Sequence, residues 1–381
     1  MPGVDKPPAH PLTAGRPGGG GRYRVAVIPG DGIGHEVVPP TVELLESMAT
    51  DFGFAWEWQH LDWGCERYKR TGSMMPEAGL AQLAAANAIF LGAVGAPGVP
   101  DHVSLWGLLI PIRRAFSQYI NLRPVRVLPG LSSSLRDPGA DKMDIVVVRE
   151  NVEGEYSQIG GYLESGGVRV AAMQEAVFTR EGCLKVLRYA FETAERRRGL
   201  VTAATKSNGI IYTMPFWDDL AREVAAGYPS VRLELVHVDA LAARLILRPT
   251  SLDVVVGSNL FADILSDVSA AVAGSLGIAP SANLNPEGNH PSMFEPVHGS
   301  APDIAGRGIA NPVGQLWTAV LMLEHLGETI AANALMAAII TAQRAPENRT
   351  PDLGGSASTL AVVEAVEGYL KRGEGAGQGT S

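Results

Sequence analysis

Cysteine is almost missing from this chain. Cys65 and Cys183 are the only two in 381 residues. They are far apart and form no metal-type pair. That argues against a disulfide framework and for a reducing, cytoplasmic setting, with each thiol serving as small apolar filler. Positive charge is also short: 31 Lys and Arg against 40 Asp and Glu leave a net charge of −9. Nucleic-acid binding by phosphate neutralisation is disfavoured, although local cationic pockets are not. No apolar run approaches the length of a membrane span, so no membrane partner is expected. The first 21 residues are rich in Pro and Gly and lack the apolar core of a signal peptide. Residues 1–21 and 371–381 read as disordered tails.

What is present is a 46% hydrophobic, 19% charged composition, typical of a soluble globular protein with room for two domains. Short β-branched runs at 24–28, 88–91, 144–149, 200–205, 232–238 and 253–258 alternate with helical patterns at 35–48, 77–86, 180–198 and 213–226. The last third is helix-rich, at 312–326, 329–345 and 356–370. This alternation predicts an α/β fold with a largely parallel sheet. The Gly- and Tyr-rich stretch 154–170, followed by strand character at 169–178, predicts a hairpin arm. Such an arm often pairs with its twin in a homo-oligomer.

The most informative stretch is 259–267, which places Asp263 and Asp267 four residues apart just after Val254-Val255-Val256. A strand feeding a helix puts both carboxylates on one helical face. Most such pairs are solvated surface. Here Phe261, Ile264, Leu265 and Val268 flank them, predicting a largely buried helix, and buried carboxylates need partners. A hard divalent cation would meet that need.

Other candidates are individually weak. Gly30-Asp31-Gly32-Ile33-Gly34 lacks the G-x-G-x-x-G spacing of a Rossmann turn and reads as a tight turn beside a ligand. Arg113, Arg123 and Arg149 lie on separate elements, and guanidinium groups grip carboxylates in bidentate fashion. Arg123 is expected to open a strand before Pro124, whereas Arg149 closes one, a common position facing a crevice. Tyr156 can donate a proton or simply pack a loop. Lys206 can act as a base if a nearby cation lowers its pKa, or be an ordinary loop lysine. Asp239 is expected to cap the helix 240–247, a role compatible with ligand binding. The run 295–306 forms a loop in which Asp303 can accept hydrogen bonds from ribose hydroxyls.

Taken together, Ile28–Gly34, Asn121-Leu122-Arg123-Pro124, Arg149-Glu150-Asn151, the Asp263/Asp267 run, Glu295–Asp303 and Asn311-Pro312 resemble the β-decarboxylating dehydrogenases over about residues 22–370. These act on isocitrate, 3-isopropylmalate, and D-malate or tartrate. The resemblance implies an isopropylmalate dehydrogenase-like two-domain fold, with a large mixed, mostly parallel sheet that is not Rossmann and a dimerising β arm. A larger NAD-binding domain would comprise 22–123 and 275–370. A smaller metal, substrate and dimerisation domain would comprise 124–274.

The resemblance also implies roles. Arg113, Arg123 and Arg149 would bind a 2-hydroxy acid, and Asp239, Asp263 and Asp267 would hold Mg²⁺ or Mn²⁺. Lys206 would take the hydroxyl proton and Tyr156 would protonate the enol. Glu295, His298, Gly299, Ser300, Ala301, Asp303 and Asn311 would bind the cofactor. Family members using NADP carry a basic residue where Asp303 stands; a carboxylate there repels a 2′-phosphate, so NAD is expected. K⁺ is a further candidate cofactor. Counterparts of Lys206 and Asp239 come from the neighbouring subunit, implying a homodimer with shared sites.

For the substrate, Gly107 and Leu109 replace the polar pair of isocitrate enzymes. Leu109 matches isopropylmalate enzymes, but Trp106 should shrink the pocket against an isopropyl group. Segments 99–107, 61–65 and 203–209 resemble the D-malate/tartrate branch, while Val152 and Ala262 depart from the usual Thr and Gly. D-malate or tartrate is therefore the expected substrate. The 3-isopropylmalate enzyme is the alternative, and a catalytically silent regulatory subunit the distant third.

Overall fold

The structure is a computed structural model that describes residues 21–373. Most of the expected tails, at 1–20 and 374–381, lie outside the described residues. The last helix, Thr359–Arg372, runs past the boundary expected at 371 and ends on Gly373 in the left-handed conformation.

Twelve strands are described: β1 Arg22–Gly30, β2 Ala55–His60, β3 Ala88–Ala93, β4 Ile120–Arg126, β5 Asp144–Glu150, β6 Gly160–Ser165, β7 Val168–Gln174, β8 Leu200–Thr205, β9 Arg232–His237, β10 Val254–Gly257, β11 Pro280–Leu284 and β12 Ser292–Pro296. Ten form one sheet in the order β2-β1-β3-β12-β11-β4-β5-β10-β8-β9. Six neighbouring pairs in it are parallel. The three antiparallel pairs, β12 with β11, β11 with β4, and β4 with β5, sit together in the middle. The sheet thus has two parallel flanks of opposite direction meeting at an antiparallel seam. Helix Val313–Leu326 packs on β3, β11 and β12, while helix Asn259–Ala273 packs on β4, β5 and β10.

Arg123 lies in the middle of β4, because the strand starts three residues earlier than expected. The domain boundary expected at 123/124 therefore falls inside a strand. Pro124 is tolerated in this central strand because β11 pairs only with Ile120, Asn121 and Leu122. Its missing N–H removes no rung there. The remaining pair, β6 and β7, is the expected hairpin, standing out from the body with every residue exposed.

In the first tight turn, Gly32 has φ +54°, and a Cβ there would meet the Ser300 carbonyl oxygen at 2.1 Å. The Ile33 N–H donates to that oxygen at 2.9 Å. The close approach expected of this turn is to the protein's own backbone.

Candidate active site

The helix Asn259–Ala273 starts immediately after β10. Ser258 caps it by accepting the Phe261 N–H, and Glu155 accepts the Leu260 N–H at 3.1 Å, placing an anion at the positive helix end. Steps of four residues align Asn259, Asp263 and Asp267 along one face. Two arginines from adjacent strands lie along that row. Arg149, from β5, bonds Asn259 and Asp263. Arg123, from β4, bonds Asp263 at 3.1 Å and Asp267 at 3.2 Å. Nine of the fifteen helix residues are buried, but the two carboxylates are not among them. Ile264 faces outward, and the Asp263 and Asp267 side chains are 30% and 57% exposed.

β-Sheet register supplies the next layer. Asn121 is paired with Arg149 on one side and Asn283 on the other. Asn121 accepts from Arg123 Nε at 2.6 Å and donates to Ser281 and Asn283, each at 2.9 Å. Asn283 donates to Glu295 at 2.8 Å, and Glu295 accepts from Arg113 at 2.8 Å. A single hydrogen-bond chain therefore runs under the pocket from Arg123 to Arg113. Arg113, Arg123, Arg149, Tyr156, Asp263, Leu109, Glu295, His298 and Gly299 all line this pocket, of about 220 Å³.

Burial and the Arg123 charge pull the Arg149 guanidinium down to about 10, which still leaves it cationic at neutral pH. Burial and the Asp263 carboxylate, 3.4 Å away, push the Tyr156 phenol up, so it keeps its proton. Burial lowers the His298 imidazole. The guanidinium cluster suits a polycarboxylate, and the phenol is ready to donate a proton.

Lys206 and Asp239 are elsewhere. They follow the paired ends of β8 and β9 and form a 2.6 Å ion pair, with side chains 31% and 67% exposed. The Lys206 bond holds the Asp239 carboxyl below its usual range. Asp239 does not cap its helix: Val238–Leu247 begins two residues earlier than expected, with His237 at the cap position. Among the described residues no three acidic, His or Cys side chains of one chain gather as a metal site.

The family description "Isocitrate/isopropylmalate dehydrogenase" matches residues 24–366. This chain belongs to that family. The Escherichia coli D-malate dehydrogenase (decarboxylating) is 49% identical over 351 residues, covering 90% of this chain and 97% of that relative. The Pseudomonas putida tartrate dehydrogenase/decarboxylase is 49% identical over 358 residues, covering 92% and 98%. The crystal structure of isocitrate dehydrogenase from Methylococcus capsulatus superposes with a TM-score of 0.83 at 33% identity, covering 92% and 99%. The chain is an enzyme of this decarboxylating dehydrogenase type.

Within this family fold, two substrate arguments from sequence meet a different geometry. Trp106 is not on the pocket wall. It lies in a π-wound turn, Leu105–Leu109, under Arg114 at 4.9 Å, and lines a separate hollow beside the β6–β7 arm. Gly107 is not on the wall either: a Cβ there would meet Met74 Cγ at 2.7 Å. Helical phase turns both away while Leu105 and Leu109 face in.

The expected cofactor residues are dispersed. His298 and Gly299 edge the pocket. Ser300 is buried against the first turn, and Ala301 adopts φ +40°, a strained value for a residue with a side chain. Asp303 is exposed on the loop beyond, which Glu36 moors by accepting the Gly306 and Gly308 N–H groups. Asn311 lies away from the pocket wall, accepting the Val313 N–H at 3.0 Å and donating to Asp352. Sequence reasoning missed Asn121, Asn283, Asn259 and Glu150 as individual site residues. The available signal was asparagine inside apolar strand patterns, where it is normally depleted.

Proposed function

We propose that this enzyme oxidises and decarboxylates a small 2-hydroxy diacid, D-malate to pyruvate and CO₂ or tartrate, using NAD and Mg²⁺ or Mn²⁺. The carrying observation is three buried guanidinium groups, Arg113, Arg123 and Arg149, facing one small pocket with a phenol beside them. Such a set holds two carboxylates in fixed orientation. The all-oxygen donors Asp263 and Asp267 fit a hard divalent ion, with Asp239 as the third donor. A bound ion would supply Lewis-acid polarisation, and NAD the hydride acceptor. Lys206 would remove the hydroxyl proton, and Tyr156 would return one to carbon after CO₂ leaves.

Lys206 and Asp239 stand apart from the pocket of their own chain, so we assign them to the pocket of a second copy. The exposed apolar side chains Ile210, Ile211, Tyr212, Leu247 and Ile264 and the bare β6–β7 arm support a homodimer. The helical face expected to hold a third carboxylate offers Leu105 and Leu109, which favours a diacid over a triacid.

The same apolar wall, with Trp106 absent from it, favours 3-isopropylmalate as the second reading. Rates of the purified protein on D-malate, the tartrate isomers and 3-isopropylmalate with Mn²⁺ decide between them. We expect kcat/KM for D-malate or a tartrate to exceed that for 3-isopropylmalate by about tenfold or more. The reverse preference would establish the second reading. Activity undiminished by a chelator would remove the metal from the scheme.

A further inference from the structure

Arg149 and Glu150 are consecutive at the end of β5 and both are buried. Strand alternation sends them to opposite faces. One side chain, Asn259, joins them. Its Nδ2 donates to Glu150 Oε2 at 3.2 Å and to the Glu153 carbonyl at 3.1 Å. Its Oδ1 accepts from Arg149 Nε at 3.1 Å and Nη2 at 2.7 Å. Glu150 Oε1 is already filled by the Val152 and Glu153 N–H groups, at 2.8 and 3.0 Å. Three donors thus converge on one carboxylate, which has no donor to offer in return when ionised.

This arrangement fixes which way the Asn259 amide points. Flipped, it would set NH₂ against the guanidinium and its oxygen against Glu150 and the Glu153 carbonyl. Both contacts would pair like with like.

We propose that Glu150 is a positioning residue: through the Asn259 amide it sets the plane of the Arg149 guanidinium, and hence how that guanidinium meets a substrate carboxylate. The kinetic part rests on the hydroxy-diacid reading above. The geometric part does not.

E150Q is nearly isosteric but brings one acceptor and one donor to a place where three donors converge. Either orientation of the new amide opposes a donor to a donor. The N259D change added to E150Q restores the pairing with both the new amide and Arg149, whose N–H groups its carboxylate accepts, while setting one oxygen against the Glu153 carbonyl. We expect E150Q to raise KM for D-malate about tenfold, to change KM for NAD less than about twofold, and the double variant to recover part of the loss. Crystals of E150Q should show the Arg149 guanidinium rotated.

An unchanged KM for D-malate, or equal rises for both substrates without recovery, would overturn the proposal. If the parent enzyme turned over no hydroxy diacid, the functional reading would fall. The E150Q crystal structure would then decide this inference alone, with an unmoved Arg149 refuting it. Should E150Q not fold, N259S removes only the bridge and leaves Glu150 its two backbone partners. The same KM split supports the proposal and its absence overturns it.

Discussion

The pocket at the antiparallel seam and the Lys206/Asp239 pair are built in opposite ways. Around the pocket, guanidinium, carboxylate and amide groups are mostly buried and cross-linked by register and helix phase. The Lys206/Asp239 pair sits beyond two strand ends, closed only on itself and washed by solvent. A buried polar network is rigid and costly to leave incomplete, whereas an exposed ion pair contributes little to stability. The arginine network of the pocket is therefore complete within one chain, while the lysine and aspartate have a chemistry-bearing pattern without local surroundings to serve. That contrast supports the proposed division of the site between two copies.

The sharpest test is to disable each half. K206M and D263N should each lower kcat by about a thousandfold or more while the proteins stay folded. Full activity in K206M would end the proposed proton transfer. Mixing the two inactive variants under conditions that exchange subunits should restore about a quarter of parental activity, since each mixed pair carries one intact site. No recovery would mean that the halves do not meet across chains.

A third perturbation addresses the loop beyond the pocket. D303K should lower kcat/KM with NAD and raise it with NADP, each by about tenfold. Unchanged cofactor preference would remove Asp303 from the ribose site.

The smallest effect concerns the buried network itself. Burial pushes the Glu150 carboxyl up to about 7, from an ordinary 4.5. The folded state then holds this proton more tightly than the unfolded chain, so its contribution to stability falls as pH rises from about 4.5 to 7 and is level above. The urea midpoint of the parent minus that of E150Q should decline across this window by the equivalent of about 1–3 kcal/mol. Parallel curves would show that Glu150 titrates normally.

The sequence made the α/β alternation, the hairpin arm and the Asp263/Asp267 face legible, because period-2 and period-3.6 patterns are local properties. It did not reveal that Arg123 lies mid-strand, since Pro124 reads as a breaker until the short reach of β11 is known. Nor did it reveal which side of the helical turn 105–109 faces inward. π-Winding shifts the phase, so Trp106 and Gly107 were credited with a pocket that Leu105 lines beside the expected Leu109. The asparagines beneath the arginines were hidden because their role depends on register between strands far apart in sequence. Asn121 and Asn283, for example, are partners across β4 and β11.

Pro124 has a consequence for motion. Hydrogen bonds run without a break from one flank of the sheet to the other, so the flanks cannot swing apart like doors on a pin. Relative movement must wring the sheet as a ribbon, and a ribbon yields where it has fewest rungs. Three strand pairs share the shortest register, three residues each, and one of them, β11 with β4, stops at Leu122, one residue before Arg123 reaches for the aspartates. Torsion at that seam is thereby felt at the Arg123 guanidinium and its two aspartate partners.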